Sequence, residues 1–135
     1  ACKHFLPAMR EAGSGAIVNI SSMAAWRPYP YVAYKATKAA VVAFTEQLAQ
    51  TNARYNIRAN VILPGLMNTP MAIESRVAAG TPRKTVVSER DKRVPLGRKM
   101  GTAWDVAHAA AFLASDRAGF ITGVALPVDG GSSVS

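Results

Sequence analysis

The chain of 135 residues contains one cysteine, few aromatic residues (7%) and half as many acidic as basic side chains. Each scarcity excludes something. A lone Cys2 cannot close an internal disulfide, so the fold must be held by packing, as in a reducing compartment. No run of about 18 uncharged apolar residues occurs, and the opening "ACKHFLPAMR" lacks the basic-then-apolar layout of a signal peptide, which argues against a membrane span or export and for a cytoplasmic protein. Metal-ligating side chains are also sparse: Cys2 and His4 have no further ligands at sensible spacing, so no metal site is expected. The formal charge is +8, with much of the excess in "RVAAGTPRKTVVSERDKRVPLGRK", residues 76–99. That stretch has no aromatic residue for base stacking and includes two acids, so it reads as a solvated basic loop, with an anionic substrate as the next reading, and not as a nucleic-acid surface.

What is present is apolar and patterned: half of the residues are hydrophobic, enough for the core of one domain. Residues 2–12 read as the tail of a helix stopped by "GSG" at 13–15. No capping residue precedes it, as if the domain began further upstream. "AIVNISS", 16–22, is a β-branched run that fits a strand buried on both faces. Residues 34–54 form a helix whose apolar stripe, Ala36, Ala39, Ala40, Ala43, Phe44 and Leu48, is broadened by Val41 and Val42. So wide a face suits burial on two sides, one of them a partner subunit. "IRANVIL", 57–63, is a second strand ended by Pro64-Gly65. The polar excursion 69–100 reads as a binding loop or lid. Residues 102–115 form a helix capped by Thr102 with Asp105 in the capping-box position, and "VALPV", 124–128, is an edge strand because Pro127 cannot donate to a ladder.

Alternating strands and helices predict an α/β fold with a parallel sheet, here an incomplete half of about three strands. Right-handed crossovers would put the two long helices on the same sheet face. The 16–22 strand would then have an unpaired edge, and the second face little cover beyond the first helix.

Ligands of open α/β sheets bind beyond the carboxyl ends of the strands. Ser21 and Ser22, Tyr34 with Lys38 one helical turn on, and Pro64-Gly65 with Thr69 all fall there. A phenol, with an ordinary pKa of about 10, is a poor base at neutral pH, and a neighbouring cation favours its ionised form. A tyrosine so placed can act as general acid or base, with a serine hydroxyl bonding the same reacting oxygen.

"NISS" at 19–22, "YKATK" at 34–38, "NVILPGLMNT" at 60–69 and "FLASDRAGFITGVALPVDGG" at 112–131 together resemble the carboxyl-terminal part of the short-chain dehydrogenase/reductase family. The resemblance implies a Rossmann-type doubly wound fold. It also implies hydride transfer between NAD or NADP and a small-molecule carbonyl or secondary alcohol, in a homo-oligomer, dimer or tetramer. It makes Ser22, Tyr34 and Lys38 the catalytic residues. Tyr34 and Lys38 would also face the nicotinamide ribose, and the backbone at Pro64, Gly65 and Leu66, with Thr69, the carboxamide. The family's usual separation counted back from Tyr34 lands on Ser21, but alignment of "NISS" selects Ser22, and a deletion is easier in the Pro-rich loop at 26–31 than in a strand.

The glycine-rich strand-to-helix turn that cradles a pyrophosphate is missing. Residues 1–135 are therefore expected to form one partial domain, the catalytic half of a family fold without its nucleotide-binding half. The alternative is a non-catalytic chain that serves oligomer assembly.

Overall fold

A computed structural model describes residues 1–135. The elements are α1 (Cys2–Ala12), β1 (Gly15–Ile20), α2 (Val32–Asn52), β2 (Ile57–Pro64), α3 (Pro70–Ala78), α4 (Arg83–Asp91), α5 (Ala103–Ala114) and β3 (Ala125–Val128). The strands pair in parallel in the order β1-β2-β3, with Gly15 opposite Ile57 and Val61 opposite Ala125. The α/β class, the parallel half-sheet and the edge position of the Pro127 strand agree with the sequence reading. No helix is long and apolar enough to cross a membrane.

Side-chain alternation along β2 shows what covers each face. Val61 and Leu63 pack with Val42 of α2 and with Met23, and Ala59 packs with Leu48 and Ala49 of α2. Cys2 and Leu6 of α1 join that second cluster, so α1 and α2 share this face. Arg58 points the other way, and its guanidinium donates to the carbonyls of Leu113 (2.6 Å) and Ser115 (3.0 Å) at the end of α5. The two long helices therefore lie on opposite faces of the sheet, not on one. The chain leaving β2 runs first through α3 and α4, which carry their own core of Ile73, Val86, Val94 and Met100, so the twist of β2 no longer steers where α5 lands.

Three other expectations are corrected. The 69–100 excursion is not a loop but two short helices, nucleated by a small apolar cluster that its many charges hide in the sequence. On α2 the buried residues are Val42, Thr45, Leu48, Ala49 and Asn52, whereas Ala36, Ala39, Ala40, Ala43 and Phe44 are exposed. The sheet takes the larger side chains and leaves the alanine stripe uncovered. The strand buried on both faces is β2; β1 is half-buried and ends at Ile20, which is 44% exposed. A central strand has neighbours on both sides, and β1 has one.

Candidate active site

The carboxyl end of β1 meets the amino end of α2. Strand pairing carries one bond past Ile20, where the Ser21 N–H donates to the Ile62 carbonyl at 2.8 Å. Alternation then turns the Ser21 side chain toward α2. It is 3% exposed, and its hydroxyl donates to the Lys38 carbonyl at 2.7 Å. Ser22, the next residue, is only half-buried; its hydroxyl oxygen accepts the Ala24 N–H at 3.1 Å and starts a 3₁₀ turn, Met23–Ala25. One serine thus ties strand to helix and the other starts the turn that follows the strand.

Tyr34 is the third residue of α2, not its first, because the helix begins at Val32. The Lys38 ammonium lies 5.7 Å from the centroid of the Tyr34 ring and donates to the Ile20 carbonyl at 3.2 Å. The spacing of four residues puts both on one helix face, as expected, and the bond to Ile20 brings that face to the strand end. The ring of Tyr29 packs 5.3 Å from that of Tyr34, giving the cleft an aromatic wall.

Lys35 was not singled out from the sequence, yet it positions the site. Its ammonium donates to the carbonyls of Ala24 (3.1 Å), Ala25 (3.1 Å) and Arg27 (2.8 Å). A cation satisfying three carbonyls of an irregular loop fixes how the chain returns from Ser22 to α2. No spacing rule marks such a residue, since its partners are backbone atoms.

The second rim is the turn after β2. The Gly65 N–H donates to the Val128 carbonyl at 3.0 Å, and a Cβ at this glycine would lie 2.6 Å from the Asp129 Cβ. Only glycine permits that approach. The Leu66 carbonyl accepts the Gly101 N–H at 3.1 Å, and the Asn68 N–H donates to the Gly101 carbonyl at 2.8 Å, which ties the turn to the start of α5. Thr69 stands at the amino end of α3 and makes no capping bond with its side chain, so its hydroxyl is available to a ligand. The structure therefore brings Ser22, Tyr34 and Lys38 to the end of β1, and Pro64, Gly65, Leu66 and Thr69 to the end of the adjacent β2. His108 lies on α5, where its ring stacks 6.3 Å from Trp104. No group of three or more His, Cys, Asp or Glu side chains could hold a metal ion.

Comparison with known proteins gives this arrangement its family. A family model described as enoyl-(acyl carrier protein) reductase matches residues 1–133. The chain is 41% identical over 133 residues to 2,5-dichloro-2,5-cyclohexadiene-1,4-diol dehydrogenase of Sphingobium indicum, covering 98% of this chain and 50% of that protein. Among solved structures it resembles an oxidoreductase of the short-chain dehydrogenase/reductase family from Burkholderia thailandensis, with a TM-score of 0.91 and 38% identity over 99% of this chain and 51% of that one. It also resembles ElxO with NADP bound, with a TM-score of 0.87 and 33% identity over 99% of this chain and 52% of the other. The chain spans about half the length of the curated relatives it matches. With the fold, the order of motifs and these likenesses in agreement, the chain belongs to the short-chain dehydrogenase/reductase family.

Proposed function

We propose that the chain carries the catalytic part of an oxidoreductase that moves a hydride between a nicotinamide cofactor and a carbonyl or secondary alcohol. The observation that supports this most directly is the position of Lys38. Its ammonium lies 5.7 Å from the Tyr34 ring centroid and bonds the Ile20 carbonyl, two residues before Ser22. In this reading Tyr34 gives its proton to the substrate oxygen during reduction and takes it back during oxidation, with the Lys38 ammonium beside its ring. Ser22 bonds the same oxygen and orients the reacting carbon. The cofactor, when bound, supplies or accepts the hydride. The residues present suit the nicotinamide end of such a molecule: Lys38 would reach its ribose, and the backbone from Pro64 to Leu66, with the unspent hydroxyl of Thr69, its carboxamide. Neither β1, β2 nor β3 is followed by a glycine-rich turn into a helix, so the pyrophosphate would be held by a segment outside these 135 residues.

The test is turnover in a protein of the relatives' full length that contains this chain. Tyr34→Phe should lower kcat about a hundredfold to ten-thousandfold while cofactor affinity stays near normal. Turnover equal to the parent's would remove Tyr34 from the mechanism.

Self-association belongs to the same proposal. The uncovered stripe of α2, Ala36, Ala40, Ala43 and the half-exposed Phe44, is a flat apolar face fit for the same face of a second copy. If assembly were the chain's sole role, Phe44→Glu would abolish association and Tyr34→Phe would change nothing measurable.

A further inference from the structure

Aromatic residues are scarce in this chain, yet three of its four tyrosines lie within residues 29–34. The loop that leads from Ser22 to α2 brings them into one series of ring contacts. The Tyr29 ring packs 5.3 Å from that of Tyr34 with the planes tilted by 37°, and the Tyr31 ring meets Tyr29 edge-on at 5.7 Å and 69°. Tyr29 and Tyr31 are nevertheless 40% and 68% exposed, so the rings that lead to the Tyr34 phenol leave apolar surface open. Exposed apolar surface continuous with a reacting group marks the part of a site that a ligand covers.

This wall is held rigidly. Pro28 and Pro30 flank Tyr29, and a residue before proline is confined to extended backbone, so Tyr29 has little freedom to lose when a ligand packs on it. Lys35 fixes the approach to the segment through the carbonyls of Ala24, Ala25 and Arg27. The Arg27 guanidinium in turn donates to the carbonyls of Ser132 and Ser135, in the segment after β3.

Those bonds also decide what chemistry the wall can receive. Between Ser22 and Lys38 the only charged side chains are Arg27 and Lys35, and both are committed to backbone carbonyls. The other polar side-chain groups beside Tyr29 are phenol hydroxyls at the ring edges. A carboxylate or a set of sugar hydroxyls laid against Tyr29 would give up water for few partners, whereas an apolar ring would gain the face of another ring.

We propose that Tyr29, backed by Tyr31, is the wall on which the substrate lies, and that the substrate is an uncharged cyclic ketone or secondary alcohol with an apolar ring, not a sugar or a hydroxy acid. The proposal rests on the catalytic reading for the carbonyl that reacts. The ring-binding wall itself follows from the tyrosine contacts.

Three kinds of ketone test it in a protein of the relatives' full length that contains this chain. The kcat/KM for 2-tetralone should exceed that for 2-decanone, an open-chain ketone of equal carbon number, about tenfold, and should exceed by more those for the sugar ketone erythrulose and for pyruvate. Tyr29→Ala should bring 2-tetralone down to the level of 2-decanone. Tyr29→Phe should keep the preference, since the ring and not the hydroxyl makes the contact. No preference for 2-tetralone, erythrulose or pyruvate as the better substrate, a preference undiminished in Tyr29→Ala, or one lost equally in Tyr29→Phe would each overturn the wall. Calorimetric affinities of the same ketones separate this outcome from the catalytic one. If none of them turned over, the catalytic reading would fail, while tighter binding of 2-tetralone than of 2-decanone, weakened by Tyr29→Ala and not by Tyr29→Phe, would sustain the wall; equal binding, or none, would overturn it too.

Discussion

Ser21 and Ser22 differ by one position and by nearly everything else. Ser21 is spent, its hydroxyl buried and bonded to the Lys38 carbonyl at 2.7 Å. Ser22 is only half-buried, with a hydroxyl that accepts one backbone N–H and still has a proton to donate. Ser21→Ala should therefore cost about 1 kcal/mol of stability, measured by urea unfolding, and leave kcat within a few-fold of the parent. Ser22→Ala should do the reverse, with little change in unfolding and a loss of turnover about a hundredfold or more. The opposite pattern would reassign the catalytic hydroxyl to Ser21. At this scale the sequence was informative because the β-pleat sends adjacent residues to opposite sides. It was silent on Lys35, whose partners are backbone carbonyls.

The capping box of α5 was legible as a short-range pattern, Thr102 followed three residues later by Asp105. Its geometry follows the pattern: the Asp105 carboxylate accepts the Thr102 N–H at 2.6 Å and the Thr102 hydroxyl at 2.8 Å. These bonds, the backbone one foremost, hold the Asp105 pKa below the ordinary carboxylate value. A carboxyl whose pKa is depressed by folding stabilises the fold above its unfolded-state pKa, and that contribution fades as the pH falls through the lower folded-state value. Asp105→Asn should therefore be less stable than the parent at neutral pH, and the gap should close in acid below the ordinary carboxylate range. Urea midpoints measured across that range decide the point; a gap independent of pH would mean that the carboxylate charge contributes nothing. The side of the sheet on which α5 lies was not legible. It is held there by Arg58, which bonds carbonyls at the end of the helix more than fifty residues away. A lone arginine inside an apolar strand gives no sign of where its partners lie.

Across the whole molecule the sheet is protected unevenly. Every residue of β2 from Ala59 to Leu63 is buried, and Asn60 among them is satisfied by the Ile121 carbonyl at 2.9 Å and the Val124 N–H at 3.0 Å. On β1 one row of backbone donors and acceptors pairs with β2 and the other row has no strand beside it, while Ile20 is 44% exposed. An apolar, β-branched edge with no proline and no charge is a template for another strand. Its apolar, β-branched character reads as that of a strand with two neighbours, which is why the sequence showed a fully buried strand where the 135-residue chain has an edge. The isolated chain should therefore associate as its concentration rises. Sedimentation velocity should show larger species that persist in part in Phe44→Glu, where the α2 face no longer meets its copy, and disappear when Val18→Lys, a charge placed on this edge strand, is added to it. If Phe44→Glu alone returned the chain to a monomer, the sheet edge would not be a surface through which copies meet.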